Sequence, residues 1–253
     1  MINGLITSLR TLSSIPIKGK EAEKPVNALP WFPVTGLILG TIAATISCLS
    51  WASTPLWTFG LALLLVLTGI LLTRGLHLDG LADWADGFWG GNTKDEILRI
   101  MKDPHTGTFG ILAIFIILMA KWIAYVCLTV DPAGWKWIAT AYTVSRTMQV
   151  DLICTWHYAR ENNGKAARFF EGAGYRQLIP ALLICTLVMI VLLRPYWLFM
   201  ITLPISWLAT RLFGLYCSKK IGGITGDTIG ACNEIIETGT LFIGAFLGTQ
   251  WTL

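Results

Sequence analysis

The sequence predicts an all-α fold: a polytopic membrane helical bundle of about seven transmembrane helices, with an interfacial helix on the cytoplasmic side. Three observations carry this prediction. Hydrophobic residues make up 54% of the 253 positions and charged residues only 13%, against roughly 25% charged in soluble domains. Twelve tryptophans suit aromatic belts at two water–lipid boundaries. The apolar residues also gather into runs approaching the roughly 20 residues that cross a bilayer as a helix.

Those runs fall at about 31–51, 55–73, 109–130, 137–156, 178–193, 196–217 and 236–252. The fifth is short, "RPYW" at 194–197 predicts a tight turn into the sixth, and Pro195 and Pro204 bound or kink that segment. Basic residues orient the bundle. Arg10, Lys18, Lys20 and Lys24 precede the first run, and Arg74, Lys94, Arg99 and Lys102 lie between the second and third. Arg160, Lys165, Arg168 and Arg176 lie between the fourth and fifth, and Arg211, Lys219 and Lys220 flank the connection from sixth to seventh. The alternate loops hold only Lys136 and Arg194. The positive-inside rule then places the N-terminus and every long loop in the cytoplasm and the C-terminus outside.

No long-period repeat, low-complexity segment or linker divides the chain, so residues 1–253 read as one membrane domain. The start, "MINGLITSLRTLSSIPIKGK", lacks the basic opening, continuous apolar core and small-residue site of a cleavable signal. A net charge of +4 spread over separate loops leaves no nucleic-acid footprint; the lipid bilayer is the expected surrounding. Six cysteines stand singly, without the paired spacing of thiolate metal sites or disulfide frames. The number of subunits stays open, a homo-oligomer among the options.

The polar chemistry concentrates in "RGLHLDGLADWADGFWGG", residues 74–91. On a helix, Asp79, Asp83 and Asp86 share an arc of about 60°, with Leu81, Trp84 and Phe88 opposite. A solvated cytoplasmic helix end would explain charges there. However, like charges at this spacing repel, the more so where lipid and protein lower the dielectric, and no lysine or arginine at helical spacing within 76–91 offsets them. A divalent cation would offset them, and hard carboxylate oxygens suit magnesium, which also takes substrate phosphates and water. His77 faces the apolar side, as a packing or hydrogen-bonding residue rather than a ligand.

A second acidic group lies in "KKIGGITGDTIGACNEIIETGT". Asp227 and Glu234, seven residues apart, share a face if this segment is helical, with Glu237 about 60° further round. Gly222, Gly223, Gly226 and Gly230 let a backbone or a phosphate approach closely. Between the two groups, "NTKDEILRIMKDPHTGTFG" carries an apolar stripe of Ile97, Ile100 and Met101, as an interfacial helix would; it ends at Asp103 and Pro104, and His105 reads as a solvated loop residue. Arg146 and Lys121 fall inside apolar runs, where an unpaired charge is costly, so Arg146 is expected to reach another helix or an anionic substrate.

Taken in order, "LSSIPI", "GLHLDGLADWADG", "ILRIMKDPHTGTFG", "SR" at 145–146, "HYAR" at 157–160 and "GGITGDTIGA" with its following glutamates resemble the cobalamin synthase family, the adenosylcobinamide-GDP ribazoletransferases. One stretch departs from the family pattern: "YARENNGKAARFFEGAG" replaces a tighter glycine pair, so that Arg160 and Glu161 carry over and the glycines match only through Gly164. The resemblance implies an integral membrane enzyme that needs magnesium and joins adenosylcobinamide-GDP to α-ribazole or its 5′-phosphate with release of GMP. It implies that a ribose hydroxyl attacks a pyrophosphate phosphorus without a protein nucleophile. On this reading Asp79, Asp83, Asp86, Asp227 and Glu234 hold metal, and the two acidic groups come within roughly 10 Å, a span that one or two metal ions with their ligands can bridge. Asp86 is the first choice of proton acceptor and Asp83 the second, while Lys102, Arg146, Arg160 and Gly226 hold substrate. CDP-alcohol phosphotransferases run the same type of reaction with different motif spacing and offer an analogy. A cation-coupled transporter is the alternative from another class, with carboxylates as its pathway, but it lacks the matched broken helices such proteins show.

Overall fold

The computed structural model describes residues 2–47, 57–160, 164 and 166–248. Ten α-helices account for most of them: α1 (Ile2–Leu12), α2 (Phe32–Ser47), α3 (Trp57–Thr73), α4 (Leu76–Gly90), α5 (Lys94–Ile100), α6 (Thr108–Val130), α7 (Gly134–Thr155), α8 (Tyr175–Leu192), α9 (Trp197–Ile221) and α10 (Gly226–Ile243). The protein is thus an all-α polytopic bundle. A helix occupies each of the seven apolar runs, although the far end of the first run, the start of the second and the end of the seventh lie outside the described residues.

Among the described residues, four helical stretches are long and apolar enough to cross a membrane: Pro25–Ser47, α6, α8 and α9. The bent pair of α3 and α4 raises this to five. α7 and α10 carry too many polar side chains to face lipid, and the fold encloses them. Residues 137–153 of α7 are all buried, and α7 packs against α2, α8, α9 and α10. Lipid-facing leucine, isoleucine and phenylalanine are left to the outer helices, as with Leu183, Leu187 and Val191 on α8 and Phe115 and Ile116 on α6.

Three differences shape the site. The chain breaks after α3 where Arg74 and Gly75 both adopt positive φ, 53° and 67°, and α4 leaves at 90° to α3. The aspartate stretch is therefore a separate helix turned away from α3, not a straight continuation of it. α10 begins at Gly226, ten residues before the seventh apolar run, because Thr225 caps it: its Oγ1 accepts from Thr228 N at 3.2 Å, and Thr228 Oγ1 accepts from Thr225 N at 2.8 Å. α1 packs on the turn 25–31 and on α2; its apolar Leu5, Leu9 and Leu12 sit at helical spacing. The helix expected at the interface is the short α5, with Thr93 Oγ1 accepting from Glu96 N at its start; Ile97 and Met101 of its apolar stripe are buried in the core.

Candidate functional site

α4 and α10 meet backbone to backbone because glycines leave room. A Cβ on Gly80 would come within 2.8 Å of Asp227 O and 3.0 Å of its Cα, and one on Gly230 within 3.2 Å of His77 O. This contact brings Asp79 and Asp83 beside Asp227, which is about 140 residues away along the chain. Burial, with the negative charges of Asp227 and Asp79, pushes the Asp83 carboxyl up to about 7; Arg160 opposes the shift.

Arg160 reaches this place through the loop after α7. Tyr158 pairs with Ile224 in a short parallel bridge, with Ala159 N donating to Ile224 O at 2.8 Å and Ile224 N to His157 O at 2.9 Å. The loop is thereby stitched to the entrance of α10. Arg160 Nη2 then donates to Asp227 Oδ2 at 2.7 Å and to Met101 O at 3.4 Å. A cavity of about 570 Å³ opens here, with Asp79, Gly80, Arg160, Gly226 and Asp227 in its wall.

Asp83 lies beside the cavity, one helical turn from Asp79, and is not itself in the wall; four other residues expected in the site lie elsewhere. Asp86 shares the helical arc but turns to the start of α6, where Oδ2 accepts from Gly107 N at 2.7 Å and Oδ1 from Gly110 N at 2.8 Å. Both oxygens accept at the start of that helix, an anion at the positive end of the dipole, so Asp86 serves the α6 cap and is not among the cavity-lining residues. Glu234 points away from Asp227 into the bundle, where its Oε2 accepts from Lys121 Nζ at 2.7 Å. The same ammonium bonds Glu237 Oε1 at 2.6 Å. Arg146 ion-pairs with the other oxygen of Glu237 and stacks on Tyr142, its Cζ 4.6 Å from the ring centroid. It is 1% exposed and meets another helix, α10, through Glu237. Both intramembrane cations thus meet carboxylates of α10 inside the bundle, the arrangement that makes such charges tolerable. Lys102 is exposed at the end of α5, next to Met101, outside the cavity wall.

The sequence reading missed several lining residues. Arg10 comes from α1, Arg168 and Phe169 from the 3-10 turn Ala167–Phe169, and Gln149 from the middle of α7. The apolar spacing of residues 2–12 signalled α1; nothing local signalled where Gln149 or Arg168 would face. His77 is buried, as its apolar face implied, and its Nε2 lies 2.9 Å from Gln149 Nε2. His105 is an exposed loop residue bonded to Asp103.

Fold and site together define a polytopic membrane protein with a cavity, lined by aspartates and arginines on a largely apolar wall, where α4 crosses the start of α10. A family model described as cobalamin-5-phosphate synthase matches residues 4–245. The chain belongs to that family, and is a transferase of cobalamin synthesis. It is 42% identical over 258 residues to the adenosylcobinamide-GDP ribazoletransferase of Chlorobaculum tepidum, covering all of both chains. It is 41% identical over 243 residues to the protein of the same name from Prosthecochloris aestuarii, covering 94% of this chain and 95% of that one. With the Shewanella oneidensis protein of that name it shares 38% identity over 233 residues, 90% of this chain and 87% of the other. No solved structure matches the chain.

Proposed function

We propose that this protein joins adenosylcobinamide-GDP to α-ribazole or its 5′-phosphate in the cavity between α4 and α10, releasing GMP. The observation that carries this reading is the meeting of Asp79, Asp83 and Asp227 beside Arg160. In the reaction a ribose hydroxyl oxygen forms a bond to the cobinamide-side phosphorus. The bond from that phosphorus to the bridging oxygen breaks, GMP keeps the electron pair, and the hydroxyl proton passes to a base. Asp83 suits the base, being half-buried and holding a proton more tightly than an ordinary aspartate. Arg160, kept in place by Asp227 and the Met101 carbonyl, offers its fork to a phosphate, and Gly226 lets that phosphate come close to the start of α10.

Magnesium belongs to this proposal. Among the described residues no three His, Cys, Asp or Glu side chains form a ready-made metal cage. Magnesium is usually held by one or two carboxylates together with substrate phosphates and water; the hard oxygens of Asp79 and Asp227 in the cavity wall fit it. When bound, magnesium would neutralise charge on the pyrophosphate and on departing GMP. The cavity would face the cytoplasm of a bacterial cell, at the inner membrane, with the N-terminus on the same side and the C-terminus outside, as the basic residues imply.

The test is GMP release by the purified protein in lipid vesicles, with adenosylcobinamide-GDP and an acceptor. Release should require both the acceptor and magnesium. Turnover undiminished by excess EDTA would refute the magnesium role, and no release under any condition would refute the reaction.

A further inference from the structure

Three arginines line the cavity: Arg10, Arg160 and Arg168. The first two are committed. Arg10 donates to Ile17 O, Gly19 O and Glu21 Oε1, and Arg160 to Asp227 and Met101. Arg168 is exposed and makes no hydrogen bond or ion pair with any of the described residues. Its guanidinium is nonetheless held: Cζ lies 5.1 Å from the centroid of the Phe169 ring. Phe169 is itself buried and meets Phe32 edge-on, with centroids 6.0 Å apart at 67°. A guanidinium resting on an aromatic face keeps its in-plane N–H groups available, the geometry that matches two oxygens of a phosphate.

The charges in the cavity give such a group a task. An acceptor bearing a 5′-phosphate brings a second anion to a wall that already holds Asp79 and Asp227, and Arg160 is paired with Asp227, so an uncommitted cation there has a partner to take. The wall beside Arg168 is apolar and aromatic, with Leu12, Phe32, Ile153 and Phe169, suited to a flat heteroaromatic base.

Building on the transferase reading above, we propose that Arg168 seats the 5′-phosphate of the acceptor and sets the preference for α-ribazole 5′-phosphate over α-ribazole. The base lies along the Phe32–Phe169 wall, and a free ribose hydroxyl is turned towards Asp83. Arg168 is here a specificity residue; it takes no part in bond making.

The experiment measures kcat/KM for both acceptors by GMP release, in the unaltered protein, Arg168→Ala and Arg168→Lys. The unaltered protein should prefer the phosphorylated acceptor. Arg168→Ala should lower the ratio of the two kcat/KM values by about tenfold or more, since a lost charge-assisted pair to phosphate is felt on that scale, and Arg168→Lys should recover part of it. Being a ratio, this readout is insensitive to how much of a variant folds. An unchanged ratio in an active Arg168→Ala protein would overturn the phosphate seat and leave the transferase reading standing. Absence of GMP release by the unaltered protein with both acceptors would overturn the transferase reading and the seat together.

Discussion

Asp83→Asn is expected to reduce GMP release by about 100-fold or more while leaving the metal-free protein at least as heat-stable as the parent. Both halves follow from the same electrostatics. Asp83 stands among Asp79 and Asp227, and burial adds to their repulsion, so its ionised form costs folding free energy that only a cation or substrate can repay. The sign is definite: a carboxyl whose folded pKa is raised to about 7 loses stability as pH rises from its unfolded value near 3.9 through 7. At pH 8 without metal, the neutral amide should therefore melt no lower than aspartate. Asp86→Ala should behave in the opposite way. It strands the buried N–H of Gly110, at a cost of about 1–3 kcal/mol, and removes the partner of the part-buried N–H of Gly107. Thermal unfolding in detergent with EDTA, beside the activity assay, separates the two. A destabilised Asp83→Asn protein, or an Asp86→Ala protein as stable as the parent, would contradict this division of roles.

The second large effect is expected inside the bundle. Lys121→Ala should destabilise the protein by about 3–5 kcal/mol, the cost of leaving buried charge without its partner. Its ammonium bridges Glu234 and Glu237 at 2.7 and 2.6 Å, and Glu237 also holds Arg146, so one deletion leaves two carboxylates facing a single arginine. A neutral replacement on both sides, Lys121→Met with Glu234→Gln, should recover much of the loss, because charge and counter-charge leave together. Unfolding in mixed micelles gives the comparison; a loss under about 1 kcal/mol for Lys121→Ala would mean that this cluster behaves like a surface ion pair.

Much of this was legible in the sequence, and the gaps have physical causes. Helix positions followed from apolar runs because lipid demands long uninterrupted stretches, and α6 and α9 appear close to where the runs put them. Periodicity placed Asp79, Asp83 and Asp86 on one face, but a shared face does not fix a shared partner. One turn further along α4, Asp86 meets the α6 start instead of the cavity. Glu234 fails for the same reason: seven residues below Asp227 is about 10 Å along a helix axis, deep enough to meet Lys121 rather than the cavity. The pairing of Arg146 with Glu237 joins residues 91 apart in sequence, and no local pattern encodes such a choice. The right angle between α3 and α4 was hidden as well, since Arg74 gives no hint of a positive φ.

The central claim is that α4 and α10 build one magnesium-dependent site, and a double-mutant cycle on GMP release tests it most directly. Asp79→Asn, Asp227→Asn and the double variant are compared at saturating magnesium. If the two carboxylates serve one site, the double variant should be little worse than the more damaged single one, because removing either already disables the shared function. Losses that multiply, so that the double variant falls by the product of the two single effects, would place Asp79 and Asp227 in independent roles and contradict the shared site.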